Sequence, residues 1–174
     1  MIVETRRLIL RPFTVDDAAF MTRQLTDPSF VTHVGDRGVR THSDAVAYIQ
    51  ERILPSYDRH GFGMLLVTLR DDGAPIGIAG LLKRESLDDV DLGYAILPEY
   101  RGKGYAVEAA RGVMDHAAHD LGLLRLVAIV AAGNDASRAV LLSLGMCEEG
   151  RFHLASPGEQ VLVYGRTINT EKTG

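Results

Sequence analysis

Apolar and polar positions alternate in some stretches of this chain and recur at helical spacing in others. Thr5 to Arg11 alternates, with Leu8 and Leu10 on one face, and predicts a first strand. Thr14, followed by Asp16 and Asp17, predicts a helix start that runs to about Leu25. Asp27 to Arg40 is rich in turn formers and reads as a loop. Thr41 with Asp44 three residues on is a capping pattern, and Ala45, Tyr48, Ile49 and Ile53 follow at helical spacing. That helix is expected to end between Pro55 and Arg59.

The period then changes. Phe62 to Arg70 and Pro75 to Leu82 read as strands joined by Asp71-Asp72-Gly73, a hairpin signal. Gly77 and Gly80 in the second strand point to a close backbone approach. After a polar turn, Val90, Leu92, Tyr94 and Ile96 alternate with Asp91, Gly93 and Ala95, which completes an antiparallel meander. Ala106, Ala109, Ala110, Val113, Met114, Ala117 and Leu121 form a helical stripe that stops at Gly122. Leu124 to Ala131 is a buried-type strand, so strand, crossover helix and strand imply a parallel pair. Asn134 caps a helix from Asp135 to Leu144, stopped by Gly145. Cys147 to Leu154 and Gln160 to Thr167 are the last strands, around Ser156-Pro157-Gly158. The expected fold is therefore one α/β domain over residues 1–168. It has a mixed sheet of about seven strands and about four helices, with a polar tail at 169–174.

Composition narrows the function. Hydrophobic residues make up 46% and charged residues 24%, which suits a globular domain. A net charge of −4 argues against a nucleic-acid partner. No apolar run approaches a bilayer span and the start does not resemble a signal peptide, so no membrane and a cytoplasmic location are expected. One cysteine, Cys147, excludes an internal disulfide and is expected to be buried. His116 and His119 lie three apart on a helix but lack a third ligand, so no metal is expected.

The chemistry concentrates at Arg101-Gly102-Lys103-Gly104-Tyr105-Ala106. Two glycines at the mouth of a helix expose unpaired N–H groups at its positive end, which suits a phosphate or pyrophosphate. Val107 stands where the dinucleotide fingerprint needs its third glycine, and Gly104 stands where a P-loop needs Ser or Thr. The segment does resemble the Q/R-x-x-G-x-G/A motif of the GNAT N-acetyltransferases. Thr5 to Pro12, Asp91-Leu92-Gly93-Tyr94, Leu97-Pro98-Glu99-Tyr100, Asn134-Asp135-Ala136-Ser137 and Leu144-Gly145-Met146 resemble further pieces of that family, in its order. The branch they most resemble is RimJ/RimL-like.

The resemblance implies a GNAT-like domain with acetyl-CoA as cosubstrate, its diphosphate held by Arg101, Gly102, Lys103, Gly104, Tyr105 and Ala106. It implies a strand splay with Ile96 and Leu97 on one side and Ile129 to Ala131 on the other. The oxyanion donor would come from the backbone of Tyr94 to Leu97. Asn134 joins the cofactor residues. Asp91 stands where many relatives have a glutamate base, and would act through a water. The tyrosine acid of many relatives is replaced by Leu141, which leaves Ser137 as the residue that orients or protonates the thiolate. The implied acceptor is a primary amine, either a peptide N-terminus or a small molecule, its pocket shaped by Asp27 to Arg40 and by Ser156 to Glu159. A homodimer is the assembly common in that branch. The alternatives are a non-catalytic acyl-CoA-binding regulatory module and a plain nucleotide-phosphate binder.

Overall fold

The computed structural model describes residues 1–153 and 160–168. The Ser156 to Glu159 turn and the tail from residue 169 lie outside the described residues. The strands are β1 (Val3–Glu4), β2 (Leu8–Pro12), β3 (Met64–Leu69), β4 (Pro75–Leu82), β5 (Val90–Ile96), β6 (Arg125–Ala131), β7 (Cys147–His153) and β8 (Gln160–Thr167). They form one sheet in the order β1-β2-β3-β4-β5-β6-β8-β7. Only β5 and β6 run parallel. The sheet has eight strands rather than about seven. The added strand is the two-residue β1, too short to show a period.

The helices are α1 (Ala18–Thr26), α2 (Pro28–His33), α3 (His42–Tyr48), α4 (Leu54–His60), α5 (Tyr105–His119) and α6 (Asp135–Ser143). A π-helical segment, Ile49–Ile53, joins α3 to α4 without a break. Helix therefore continues past Pro55 to Gly61, whose φ of 72° ends it. Pro55 lies in the first turn of α4, directly after the π-helical segment, where the backbone hydrogen-bond register changes. Helix α2 replaces part of the expected Asp27–Arg40 loop. Asp27 accepts a hydrogen bond from the Phe30 amide at 3.1 Å, and Pro28 occupies the first turn.

The two faces of the sheet carry separate cores. Helix α5 packs Ala109, Ala110, Val113, Met114 and Ala117 on one face, with Leu141 of α6 and Leu144 just after it. Four of those five α5 contacts are Ala or Val, so the helix lies close to the strands. Helices α1 to α4 cover the other face with Phe13, Met21, Leu25, Phe30 and Ile49. At Gly80 a Cβ would lie 2.3 Å from the Gly63 carbonyl oxygen, so the β3–β4 approach requires glycine there. Cys147 is exposed, not buried, because β7 is an edge strand paired only with β8.

Candidate active site

The site begins where two parallel strands part. β5 pairs with β6 only at Val90–Leu126 and Asp91–Val127, yet β5 continues to Ile96 and β6 to Ala131. Beyond Asp91 the strands leave a gap. The Leu97 amide donates to the Ile76 carbonyl of β4 at 2.8 Å. With alternating ladder bonds, Gly93, Ala95 and Leu97 face β4, and the amides of Tyr94 and Ile96 turn toward the gap. The Leu97 amide, included in the expected donor segment, is thus committed to β4, and its side chain is buried in the core under α1 to α4.

Along the chain, β5 is followed by the turn that opens α5. Gly102 and Gly104 have φ of 74° and 80°, and Gly104 is the N-cap of α5. Glycine is the residue that adopts this left-handed conformation without a Cβ penalty. The first amides of α5, from Tyr105 and Ala106 onward, have no partner within the helix.

The turn is braced from both sides. Arg7 donates to the Lys103 carbonyl at 2.9 Å, pairs with Glu108 at 2.6 Å, and lies 4.4 Å from the centre of the Tyr105 ring. Glu108 also accepts from the Thr5 hydroxyl and the Arg7 amide, each at 2.7 Å. Burial raises the Glu108 pKa, but those donors and the Arg7 guanidinium outweigh it and hold the carboxyl below its ordinary value. Arg101 points back, away from the mouth of α5. Its Nε donates to the Ile96 carbonyl at 2.8 Å and its Nη2 pairs with Asp27 at 3.0 Å. The Arg101 side chain therefore fixes the turn to the α1–α2 junction. The Lys103 ammonium lies 5.8 Å from the centre of the Tyr100 ring, on an exposed side chain.

Across the gap, the Tyr94 hydroxyl lies 2.8 Å from Ser137 Oγ. It also donates to the Ser137 carbonyl at 3.1 Å. Burial pushes the Tyr94 pKa up to about 12, opposed by the Ser137 hydrogen bond. Asn134 accepts from the Ser137 amide at 3.2 Å, so its side chain serves as the α6 cap. The sequence singles out Ser137 but not its pairing with Tyr94, which joins residues 43 positions apart. Leu141 is buried one turn further along α6.

Asp91 is 1% exposed. Its Oδ2 accepts from Arg84 Nε at 2.6 Å, and its Oδ1 has no hydrogen-bond partner. Burial raises its pKa. The Arg84 charge and hydrogen bond lower it, as does the nearby Ile129 amide; burial dominates. Arg84 is seven residues away, across the β4–β5 turn, and no sequence period signals the pair.

Asp91, Tyr94, Asn134 and Ser137 line one cavity of about 760 Å³, with Ile129 to Ala131 on the β6 side. The opposite wall is apolar, formed by Phe13, Met21, Phe30, Ile53, Met64 and Ile78. The Ile96 and Leu97 side chains, expected to wall the groove, do not line it. A second, shallower groove of about 660 Å³ lies between β1 and α5 and is lined by His116 and His119. It contains none of the β5–β6 gap residues but is bordered by Gly104 of the turn and Glu108 of α5, and His116 Nδ1 lies 2.6 Å from Asp120. The β5–β6 cavity combines polar groups with an open strand gap.

Residues 7–147 match the Acetyltransferase (GNAT) domain family. The Bacillus subtilis N-acetyltransferase YnaD is 27% identical over 157 residues, covering 90% of this chain and 89% of that protein. An acetyltransferase from Agrobacterium tumefaciens superposes with a TM-score of 0.81 at 28% identity, covering 95% of this chain and 94% of that one. The ribosomal L7/L12 α-N-protein acetyltransferase RimL, in complex with coenzyme A, superposes with a TM-score of 0.74 at 19% identity over 97% and 98% of the two chains. No helix among the described residues is long and apolar enough to cross a membrane. By its matching domain and its shared fold, this chain belongs to the GNAT acetyltransferase family, with RimL among its structural neighbours.

Proposed function

We propose that the protein transfers an acetyl group from acetyl-CoA to a primary amine by direct attack of the amine on the thioester. The observation that carries this reading is the parting of β5 from β6 beyond Asp91, with the glycine turn following β5 at the start of α5. A long thioester with a diphosphate at its far end matches such a gap. The amides of Tyr105 and Ala106, with the adjacent helix dipole, face the diphosphate. Gly102 and Gly104 keep the approach open, and Lys103 adds a nearby positive charge.

Acetyl-CoA supplies an activated acyl group, and the protein residues manage charge and protons around it. The Tyr94 and Ile96 amides turn toward the gap and are suited to a carbonyl oxygen that gains negative charge. The attacking nitrogen must be neutral and must shed a proton after bonding to the carbonyl carbon. Asp91 takes that proton through a water, its carboxylate lying at the cavity wall beside Arg84. As the carbon–sulfur bond breaks, the thiolate is met by the Tyr94–Ser137 hydroxyl pair. A thiol pKa near ~8.5 makes the thiolate a tolerable leaving group, so the pair orients it and relays one proton.

The acceptor is a peptide N-terminus or a small-molecule amine, bound against the wall between Phe13 and Ile78. The reaction is placed in the cytoplasm, and a homodimer is the proposed assembly. Thiol release from acetyl-CoA, measured against a panel of peptides and small amines, tests this reading. Thiol release matched by acetylated amine supports it. Acetyl-CoA binding without turnover on any amine would favour the non-catalytic module instead.

A further inference from the structure

The chain as a whole is acidic, with 23 Asp and Glu against 19 Lys and Arg. The cavity reverses that balance. Among the described residues its charged lining is Arg37, Arg52, Lys83 and Arg84 against Asp36 and Asp91. Both acids are already engaged, Asp36 with Arg40 and Asp91 with Arg84. Lys83 is tied to its own loop through the carbonyls of Leu87 and Asp88, at 2.8 and 2.6 Å. Arg37 and Arg52 form no ion pair among the described residues, and both are exposed.

Their positions follow from the fold. Arg37 lies in the connection between α2 and α3. Arg52 lies in the π-helical segment, which also buries Ile53 against the cavity. Both guanidiniums therefore belong to the helical layer that carries the apolar wall. A site of this kind combines apolar surface with a few placed charges. A polyamine or an aminoglycoside would bring further ammonium groups to two uncompensated guanidiniums. A carboxylate would meet a planar, permanently charged partner of matching geometry.

We infer that the acceptor is a primary amine with an apolar body and an anionic group, the apolar part against Phe30 and Ile53 and the anion at Arg37 and Arg52. This inference rests on the proposed acetyl transfer and specifies its acceptor. An apolar α-amino acid presents this combination, and so does a peptide whose apolar first residue precedes an acidic one.

Calorimetric titration of the whole protein, with and without coenzyme A, tests the inference without requiring turnover. The probes are N-acetyl-L-phenylalanine, its neutral amide, and N-acetyl-phenylalanyl-aspartate α-amide, which keeps its side-chain carboxylate, beside its asparagine counterpart. At least one acidic probe should bind about fivefold or more tightly than its neutral partner, the scale of one partly exposed ion pair. Which acidic probe does so distinguishes a free carboxylate from a peptide source. Arg37→Gln combined with Arg52→Gln should remove the preference while leaving acetyl-CoA affinity unchanged. Equal binding of acid and neutral partners, no binding of either acid, or a preference that survives the double substitution would overturn the inference. Acetyl-CoA affinity, titrated separately, reports on the proposed function, and the anion preference is read in the cofactor-free protein as well.

Discussion

Asp91 carries the most conditional chemistry at the residue scale, because burial and Arg84 act on it in opposite directions. Its pKa lies above the ordinary aspartate value of 3.8, with burial dominant. The ionised form that accepts a proton therefore accumulates only as pH climbs through the raised value. Asp91→Asn should lower kcat/KM at pH 7 and flatten the rising limb of the pH–rate profile, with a smaller loss at higher pH. Arg84→Gln removes the charge that lowers the pKa and should move that limb to higher pH. The linkage to stability has the same origin. A carboxyl with a raised folded pKa contributes stability below its unfolded pKa, and that contribution is lost as pH rises through the folded value. Asp91→Asn should therefore lose less melting temperature than wild type between pH 5 and pH 8, measured by thermal unfolding. Tyr94, with its pKa pushed up to about 12, stays protonated throughout that range. Tyr94→Phe or Ser137→Ala should slow single-turnover thiol release on the order of a hundredfold without moving the acid limb. The double variant should cost little more than either single one, because the two hydroxyls act as a pair. Full turnover in both single variants would remove the hydroxyl pair from the reaction.

At the element scale the decisive unit is the turn between β5 and α5. Its conformation depends on Gly104 at φ 80° and on the Arg7–Glu108 brace that reaches over from the β1–β2 connection. Gly104→Val should abolish acetyl-CoA binding while the fold persists, because its Cβ is strained in that conformation and crowds Arg7 at 3.4 Å. Glu108→Gln should weaken acetyl-CoA about tenfold by loosening the brace, whereas Lys103→Ala, a change to an exposed side chain, should weaken it only about twofold; isothermal titration separates the three. Much at this scale was legible in the sequence. Pro75–Leu82 and Gln160–Thr167 have the bounds that their period predicts. The Thr41–Asp44 box and the Asn134 cap form as predicted, since each depends only on residues three apart. Helix α2 was not legible, because Asp27-Pro28 starts a short helix with the same residues that start a turn. The bracing of Arg7 and Arg101 was equally hidden, since their partners lie 101 and 74 positions away.

At the scale of the whole molecule, the sheet order sets which surfaces can matter. β7 is an edge strand, and this exposes Cys147, whose residue type suggested a buried strand position. Alkylation of Cys147 should leave melting temperature and acetyl-CoA affinity unchanged, as checked by thermal unfolding and titration of the modified protein. The same order places the parallel pair inside the sheet, between the face covered by α5 and the face covered by α1 to α4. A thioester and an amine can then approach from opposite faces and meet beside Tyr94. Incubation with acetyl-CoA and a panel of primary amines, followed by mass analysis of the amines and quantification of thiol, tests that meeting most directly. One acetyl group should appear on an amine for each thiol released, and Gly104→Val should abolish both. Tight acetyl-CoA binding with no acetylated amine, or acetylation that survives Gly104→Val, would contradict the account.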